Sequence, residues 1–338
     1  MKKALSLLLA VLCVCAILAG CAKNETPATT PAAESSAPAE TTESTEASSE
    51  TEAEAPTTYT FTDARGKEVT VPVKPERVIC TYGSYCPMWY ENGGTLIYRK
   101  DIYSSYTLSP ELEAVPIIAD GGDISAEVIL EAEPDLVILN KSKSDIEMAE
   151  LLESSGVPCM VCSYTTFEEY LDLVKVFTDI TQRPDLYEKN GTEIKARVDA
   201  VRETIGDRSV EGVLIMPSAT SPSFTSATSM CGSMLRDLNM KLLSYPDGDY
   251  TKDKYEFSME KLLELDPQYV LTAGGGEDQE AAAQRVLDWP GFTDLTAYKE
   301  GRYRHLDVSM YMYKPNSRFA EAYEQLAAFL YPDLFPEA

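Results

Sequence analysis

Short apolar runs alternate with longer amphipathic stretches from residue 59 to the end of the chain. Runs of about four residues rich in Val, Ile and Leu are typical of strands buried on both faces of a parallel sheet. Such runs predict strands at residues 77–80, 115–118, 136–139, 159–162, 212–216 and 269–272, and we expect Tyr303-Arg-His-Leu306 to play the same part in the second lobe. The stretches between them carry apolar residues at helical spacing. The pattern predicts an α/β fold whose open, mainly parallel sheets are flanked by helices.

Residues 167–206 differ from the rest because helical periodicity continues through them with a single break at Arg183-Pro184. Proline lacks the backbone N–H that a continuous helix needs, so the break is local. We expect one long helical segment to join a first lobe, residues 59–166, to a second lobe, residues 207–338.

Residues 125–139 and 258–272 resemble each other in register, sharing a serine, two glutamates, a leucine, a proline and a valine. In each copy the serine can cap a short helix. The proline ends that helix, and a buried strand follows. The copies are too far apart for a solenoid repeat and fit two lobes of similar construction.

The first 58 residues have a different pattern. Met1-Lys2-Lys3 precedes an apolar run at residues 4–19, and a cysteine, Cys21, follows Leu18-Ala19-Gly20. This is the layout of a secretory signal, and the run is shorter than the roughly 20 residues of a membrane-spanning helix. Residues 22–58 are rich in Thr, Ser, Ala, Pro and Glu and contain no aromatic residue. We expect a signal peptide at 1–20 and a disordered tether at 21–58.

Composition excludes several classes of function. The formal net charge of -26 argues against binding to nucleic acid. The single histidine, His305, argues against a carrier of bare zinc or manganese and is expected to be a structural strand residue. No nucleophile elbow or phosphate loop occurs. The Ser258-x-x-Lys261 match lies inside the repeated helix without its partner motifs, so no catalytic residue is predicted.

The cysteines of the folded part are Cys80, Cys86, Cys159, Cys162 and Cys231, and their pairing stays open. Cys159 and Cys162 form a CxxC pair, but they lie in a predicted strand. Strand residues three apart point to opposite faces, so a metal or redox role for this pair is disfavoured.

Residues 63–78, 289–303 and 330–335, taken with the order of the predicted elements, resemble the periplasmic-binding-protein family that serves ABC importers of iron siderophores, haem and vitamin B12. The resemblance covers nearly the whole folded part and implies two lobes joined by one long helix. Residues 18–21 resemble a bacterial lipobox, which implies a lipid-anchored protein on the extracytoplasmic face of the cell membrane, acylated at Cys21. One glutamate on each lobe docks the permease in the family, and the matching positions are Glu127 and Glu260.

Ligands of parallel sheets bind beyond the carboxyl ends of the strands. The residues expected to bind the ligand are Tyr82, Tyr85, Met88, Trp89, Asp120, Gly121, Asn140, Lys141, Tyr164, Phe224, Thr225, Tyr255, Gly274, Tyr311 and Tyr313. Aromatic side chains offer broad contact to a bulky ligand, and glycine lets the backbone approach it closely.

The cations expected at the cleft are Lys141, Lys254 and Lys314, with Arg99 as a further candidate. The resemblance implies a monomer that passes a metal chelate or macrocycle to an ABC permease, with no cofactor or metal ion of its own. A ferric siderophore is the first choice. Haem and a corrinoid are the alternatives, and a ligand sensor or secreted enzyme on this scaffold is a distant one.

Overall fold

The computed structural model describes residues 57–102, 106–118, 124–218, 222–274 and 278–336. The predicted signal peptide, Cys21 and nearly all of the predicted tether lie outside these ranges, as do Asp120 and Gly121. Within these ranges, no helix has the length and apolar character needed to cross a bilayer.

The described chain begins with an antiparallel hairpin of β1, Thr58–Thr62, and β2, Glu68–Pro72. Asp63, in the turn, accepts hydrogen bonds from Arg65 N (2.9 Å), Arg65 Nε (2.8 Å) and Val161 N (3.1 Å). Because Val161 belongs to the first sheet, the buried carboxylate of Asp63 fastens the hairpin to that sheet.

The first lobe is built on a four-stranded parallel sheet. Its strands, in the spatial order β4-β3-β5-β6, are β3 at Val78–Cys80, β4 at Tyr98–Arg99, β5 at Leu136–Asn140 and β6 at Cys159–Cys162. Its helices are α1 at Tyr85–Glu91, α2 at Pro110–Glu113, α3 at Ala126–Glu131 and α4 at Lys143–Ser154.

The strand predicted at residues 115–118 is wrong. Only Ile117 pairs there, through a single bridge to Arg99, and the sheet has β4 as its outer strand. Pro116 has no N–H to donate to a ladder, so this stretch cannot form a regular strand.

Helices fill the segment between the lobes, with the predicted break. They are α5 at Phe167–Thr181, α6 at Pro184–Tyr187, a π-helical turn at Glu188–Thr192 and α7 at Glu193–Ile205. A capping box between Thr166 and Glu169 starts α5. Gln182, in the left-handed region at φ 57°, ends it, just before Pro184.

The second lobe has a five-stranded sheet that is parallel except for β8. Its strands are β7 at Val210–Met216, β8 at Ser223–Phe224, β9 at Met240–Leu242, β10 at Tyr269–Ala273 and β11 at Tyr303–Leu306. Its helices are α8 at Met230–Asp237, α9 at Met259–Leu265, α10 at Gln279–Leu287, α11 at Thr296–Lys299, α12 at Val308–Tyr311 and α13 at Phe319–Leu330. Turns of 3-10 helix lie at Phe292–Asp294 and Asn316–Arg318. Two mainly parallel sheets flanked by helices confirm the predicted fold class.

The internal repeat has the same structure in both lobes. Ser125 and Ser258 cap α3 and α9 by accepting hydrogen bonds from backbone N–H groups three residues on, at 3.4 and 3.0 Å. Each helix is followed by a residue with a left-handed backbone directly before the proline, Glu133 at φ 46° and Asp266 at φ 32°. The copies continue into β5 and β10, so the repeated sequence codes for one helix–turn–strand unit per lobe.

Apolar side chains are buried on both faces of each sheet. In β6, Cys162 joins the apolar cluster that runs from the first sheet along the linking helices to the second lobe. Cys159, three residues earlier, joins a separate cluster on the other face.

The two tryptophans are divided between the lobes. Trp89 is buried in the first, and Trp289 packs at 5.2 Å from the ring of Phe257 in the second.

Candidate functional site

The carboxyl ends of β3, β5 and β6 lie together because these strands are parallel neighbours. Tyr82 follows β3, Asn140 ends β5 and Tyr164 follows β6. The hydroxyl of Tyr85, at the start of α1, donates to Asn140 Oδ1 at 3.3 Å. The ring of Tyr85 lies 5.0 Å from that of Tyr82 and 6.1 Å from that of Tyr164, between centroids. The structure thus brings four of the predicted ligand residues into one polar aromatic cluster at the expected edge.

Lys314, on the segment between α12 and α13, inserts into this cluster. Its Nζ donates to the backbone oxygen of Tyr164 at 2.6 Å. The same atom lies 3.9 Å from the ring centroid of Tyr164 and 5.5 Å from that of Tyr85. Lys314 is only 9% exposed and makes no salt bridge to a carboxylate in the described part of the chain. Its ammonium is therefore held mainly by aromatic rings and one carbonyl.

Burial lowers the pKa of Lys314 to about 8, because the charged form loses its hydration. The negative charge of Glu169 acts in the opposite direction. The folded chain thus holds the ammonium of Lys314 in a buried position, where its positive charge destabilises the folded state.

Two further residues, not singled out from the sequence, hold this segment on the first lobe. The hydroxyl of Tyr106 donates to Lys314 O (2.7 Å) and accepts from Lys314 N (2.9 Å). Asn316 accepts from the hydroxyl of Tyr164 (2.7 Å) and donates to Ser84 O (3.0 Å). A turn signal was present in the sequence, since Pro315-Asn316 favours a tight turn and Asn316 has φ 50°.

Met88 and Trp89, also predicted to touch the ligand, lie in the first-lobe core without exposed surface. Trp89 Nε1 donates to Thr95 O at 3.0 Å, and its ring packs edge-on against Phe177 with centroids 5.1 Å apart. Tyr85 and Tyr164 are equally buried, but their hydroxyl groups bond to Asn140 and Asn316, whereas the contacts of Trp89 are packing contacts of the core. We leave Met88 and Trp89 out of the proposed site.

In the second lobe, Gly274 follows β10 with φ 95°, a conformation that favours glycine. A Cβ at this position would lie 3.4 Å from Cε of Met312 and 3.6 Å from Cγ of Met216. Met216 ends β7 and is partly exposed. Two polarizable thioether side chains thus border the carboxyl edge of the second sheet.

The other predicted second-lobe residues are dispersed. Phe224 is buried with its ring 5.3 Å from that of Phe257, and Tyr311 is buried with its hydroxyl donating to Ala322 O at 3.1 Å. The ring of Tyr255 is covered by Lys261 Nζ at 4.0 Å. Thr225 is buried, its Oγ1 lacking a hydrogen-bond partner within the described ranges, whereas Tyr313 is half-buried.

The predicted cleft cations fall into distinct environments. Arg99 is buried and donates to the backbone oxygens of Leu112, Lys100 and Glu113 at 3.1 to 3.4 Å. Lys141 and Lys254 are exposed. The guanidinium of Arg99 is therefore used to hold its own lobe together, and Lys314 is the cation that enters the tyrosine cluster.

His305 lies in β11, as predicted, with its ring nitrogens bonded to Thr272 Oγ1 (2.8 Å) and Gln279 Oε1 (3.1 Å). Burial lowers its pKa, with a smaller contribution from the charge of Arg285.

The cysteines Cys80, Cys86, Cys159, Cys162 and Cys231 are all buried free thiols.

Glu127 and Glu260 occupy the same position in the two copies of the repeat, in the first turn of α3 and of α9. Both are exposed, and neither forms a salt bridge with another residue of the described ranges. Hydrogen bonds from its own backbone N–H and from Ser125 lower the pKa of Glu127. The carboxylates are thus presented to solvent from equivalent sites on the two lobes.

A family profile described as periplasmic binding protein matches residues 78–309. The chain belongs to the periplasmic binding proteins. No curated protein matches it.

Solved structures of periplasmic binding proteins share the fold. An ABC-type Fe3+-hydroxamate transport protein from Saccharomonospora viridis DSM 43017 has a TM-score of 0.61 and 21% identity, over 80% of this chain and 98% of that one. For the periplasmic haem-binding protein RhuT from Roseiflexus sp. RS-1, in its apo form, the TM-score is 0.62 and the identity 18%, over 77% and 99%. The vitamin B12 binding protein BtuF of Vibrio cholerae gives 0.62 and 19%, over 79% and 100%.

Proposed function

We propose that this periplasmic binding protein captures an iron complex of the ferric siderophore type between its lobes and delivers it to an ABC permease. The observation that carries the proposal is the cluster of Tyr82, Tyr85, Asn140 and Tyr164 at the carboxyl edge of the first sheet. Tyr82 and Asn140 are half-buried and Tyr85 and Tyr164 are fully buried, and together they place aromatic rings with polar tips where such sheets bind ligands. The structural relative named for Fe3+-hydroxamate transport supports this class. No catalytic role is proposed.

Haem or a corrinoid is the second candidate. The thioether groups of Met216 and Met312 beside Gly274 give the second lobe an apolar, adaptable border that suits a flat macrocycle. The relatives named for haem and vitamin B12 support this alternative.

Titration calorimetry with ferric hydroxamates, ferric catecholates, ferric citrate, haem and cobalamin tests the ligand class. We expect one ferric siderophore to bind with a Kd in the micromolar range or below. Tighter binding of haem or cobalamin than of every ferric complex would replace the first candidate with the second. No binding by a folded sample would refute both.

The proposed partner surface consists of Glu127 and Glu260, one on each lobe, which suit basic pockets on the permease. The double variant Glu127→Ala plus Glu260→Ala should bind the ligand normally. Cells in which this variant is the only copy of the protein should lose uptake of the labelled iron complex. Glu131→Ala plus Glu264→Ala is the matched control, because these exposed residues lie on the same helices at equivalent repeat positions. Full uptake by the first variant, or equal loss by both, would contradict the docking role.

We also propose that residues 1–20 are a signal peptide and that an acylated Cys21 anchors the monomer to the cell membrane. Residues 21–58 would then be its tether, and residues 167–206 would join the lobes 59–166 and 207–338. Incorporation of a labelled palmitate analogue should disappear in Cys21→Ser, and the protein should move from the membrane fraction to the medium or periplasm. Unchanged labelling would exclude Cys21 as the anchor.

A further inference from the structure

The tyrosines around Lys314 form an aromatic cage of the kind that recognises ammonium groups. The cage is defined by Tyr85 and Tyr164, whose ring centroids lie 5.5 and 3.9 Å from Lys314 Nζ. Tyr82, 5.0 Å from Tyr85 between centroids and half-buried, extends the aromatic surface toward solvent. Both cage residues stand at the edge where the ligand of this fold is expected. The chain's own lysine thus occupies part of the proposed ligand site.

We propose that this cage is a subsite for an ammonium group carried by the ligand, and that Lys314 holds the place of that group in the ligand-free protein. The proposal rests on the proposed function and narrows the ligand to complexes that bear a protonated amine. On binding, the ammonium of the ligand takes the cage and the side chain of Lys314 withdraws.

The charges around the cage favour a cation over an anion. The carboxylate of Glu169, at the start of α5, favours the charged ammonium of Lys314. Cys162, at the end of β6, is a buried thiol whose pKa is raised by burial, so it is neutral and adds no positive charge. Of the other cations predicted for the first lobe, Arg99 already donates to three backbone oxygens, and Lys141, which follows Asn140, is exposed. An ammonium on the ligand would meet the same rings, carbonyl and field that now accommodate Lys314.

The side chain of Lys314 can leave without moving its backbone. Tyr106 holds the backbone N–H and C=O of Lys314, and Asn316 is held by Tyr164 and Ser84. None of these hydrogen bonds involves the ammonium. When the side chain withdraws, the ammonium of Lys314 leaves a buried position that destabilises its charged form, and it regains its hydration. Exchange of one ammonium for another therefore gives up the hydrogen bond from Lys314 Nζ to Tyr164 O but leaves these four hydrogen bonds in place.

Chemical rescue tests the cage without the natural ligand. Lys314→Ala removes three methylene carbons and the ammonium nitrogen, which n-propylammonium replaces atom for atom. We expect n-propylammonium to raise the melting temperature of Lys314→Ala, and the neutral isostere 1-propanol to have no such effect. Lys314→Met should not respond, because its own side chain fills the cage and has no charge to exchange. Equal stabilisation by the alcohol, or none by the amine in the folded variant, would overturn the proposal.

A matched ligand pair tests selectivity in the unaltered protein. Ferrioxamine B carries a free ammonium beside its iron centre, and its N-acetyl derivative has the same iron centre without the charge. We expect calorimetry to show binding of the ammonium form about tenfold or more tighter, because its ammonium takes over the cation–π contacts while that of Lys314 regains its hydration. Equal or weaker binding of the ammonium form would refute the cage as a ligand subsite. If neither form binds, the ferric siderophore assignment fails, and the rescue experiment decides alone whether the cage is an ammonium site.

Discussion

The substitution Lys314→Met isolates the energetic consequence of a buried ammonium. Burial lowers the pKa of Lys314 from 10.5 to about 8, so the folded state binds this proton less tightly than the unfolded state does. One pKa unit corresponds to about 1.4 kcal/mol, so the charge disfavours folding by about 3 kcal/mol at neutral pH relative to a neutral side chain. This penalty is complete below the folded pKa and disappears as the pH rises through 8 toward 10.5. The variant carries no such penalty at any pH.

The expected result is a pH-dependent difference in stability between Lys314→Met and the wild type. From about pH 7 to about pH 9 the free energy of unfolding of the variant should fall by about 1 kcal/mol relative to the wild type. Urea unfolding followed by circular dichroism, extrapolated to zero denaturant, measures it at each pH. Other groups that titrate in this range are common to both proteins and cancel. The exposed Lys141→Met is the control, and its difference from wild type should stay constant. A constant difference for Lys314→Met, or one that grows in favour of the variant, would refute the assignment of a buried charged lysine.

Three other substitutions test the packing around the site. Trp89→Phe should destabilise the protein by about 2 kcal/mol, since it removes the bond to Thr95 O and contact with Phe177, and a loss near zero in thermal unfolding would contradict a core role. Asp63→Ala should cost about 3 kcal/mol in urea unfolding, because Arg65 and the N–H of Val161 lose a buried acceptor; Asp253→Ala, on the exposed surface, should be neutral. Gly274→Ala should lower stability by about 1 kcal/mol because of its φ of 95°, and an unchanged melting temperature would show that the backbone relaxes.

The strands that could be predicted from the sequence are those whose own side chains favour a strand. Residues 136–139 and 159–162 lie within strands of the structure, because a β-branched or apolar run bounded by polar residues has one favourable arrangement in an α/β fold. Residues 303–306, Tyr-Arg-His-Leu, form an edge strand of which only Leu306 is buried. Residues 115–118 show the same apolar character but contain Pro116, whose missing N–H outweighs it. The short β4, β8 and β9 carry too few residues to produce a pattern and depend on their neighbours in the sheet.

The candidate site also contains residues that could be predicted from the sequence and residues that could not. Tyr82, Asn140 and Tyr164 were found because parallel strands bring their carboxyl ends to one edge whatever the details of packing. Met88 and Trp89 come after β3, as Tyr82 does, but they lie in α1, which begins at Tyr85. Their side chains are buried in the core. The contacts of Tyr106 and Asn316 with Lys314 and Tyr164 join residues more than 150 positions apart in the chain. Such pairings depend on how the second lobe returns to the first, which no local pattern in the sequence reveals.

The placement of the two tryptophans, one in each lobe, has a practical consequence. Trp89 lies against Phe177 in the first lobe, and Trp289 lies against Phe257 in the second. Each lobe therefore contains its own intrinsic fluorophore. In Trp89→Phe the emission would come from the second lobe alone, and in Trp289→Phe from the first alone. In each variant, comparison of the tryptophan curve with unfolding followed by circular dichroism would show whether the lobes lose their structure as a single cooperative unit or one after the other.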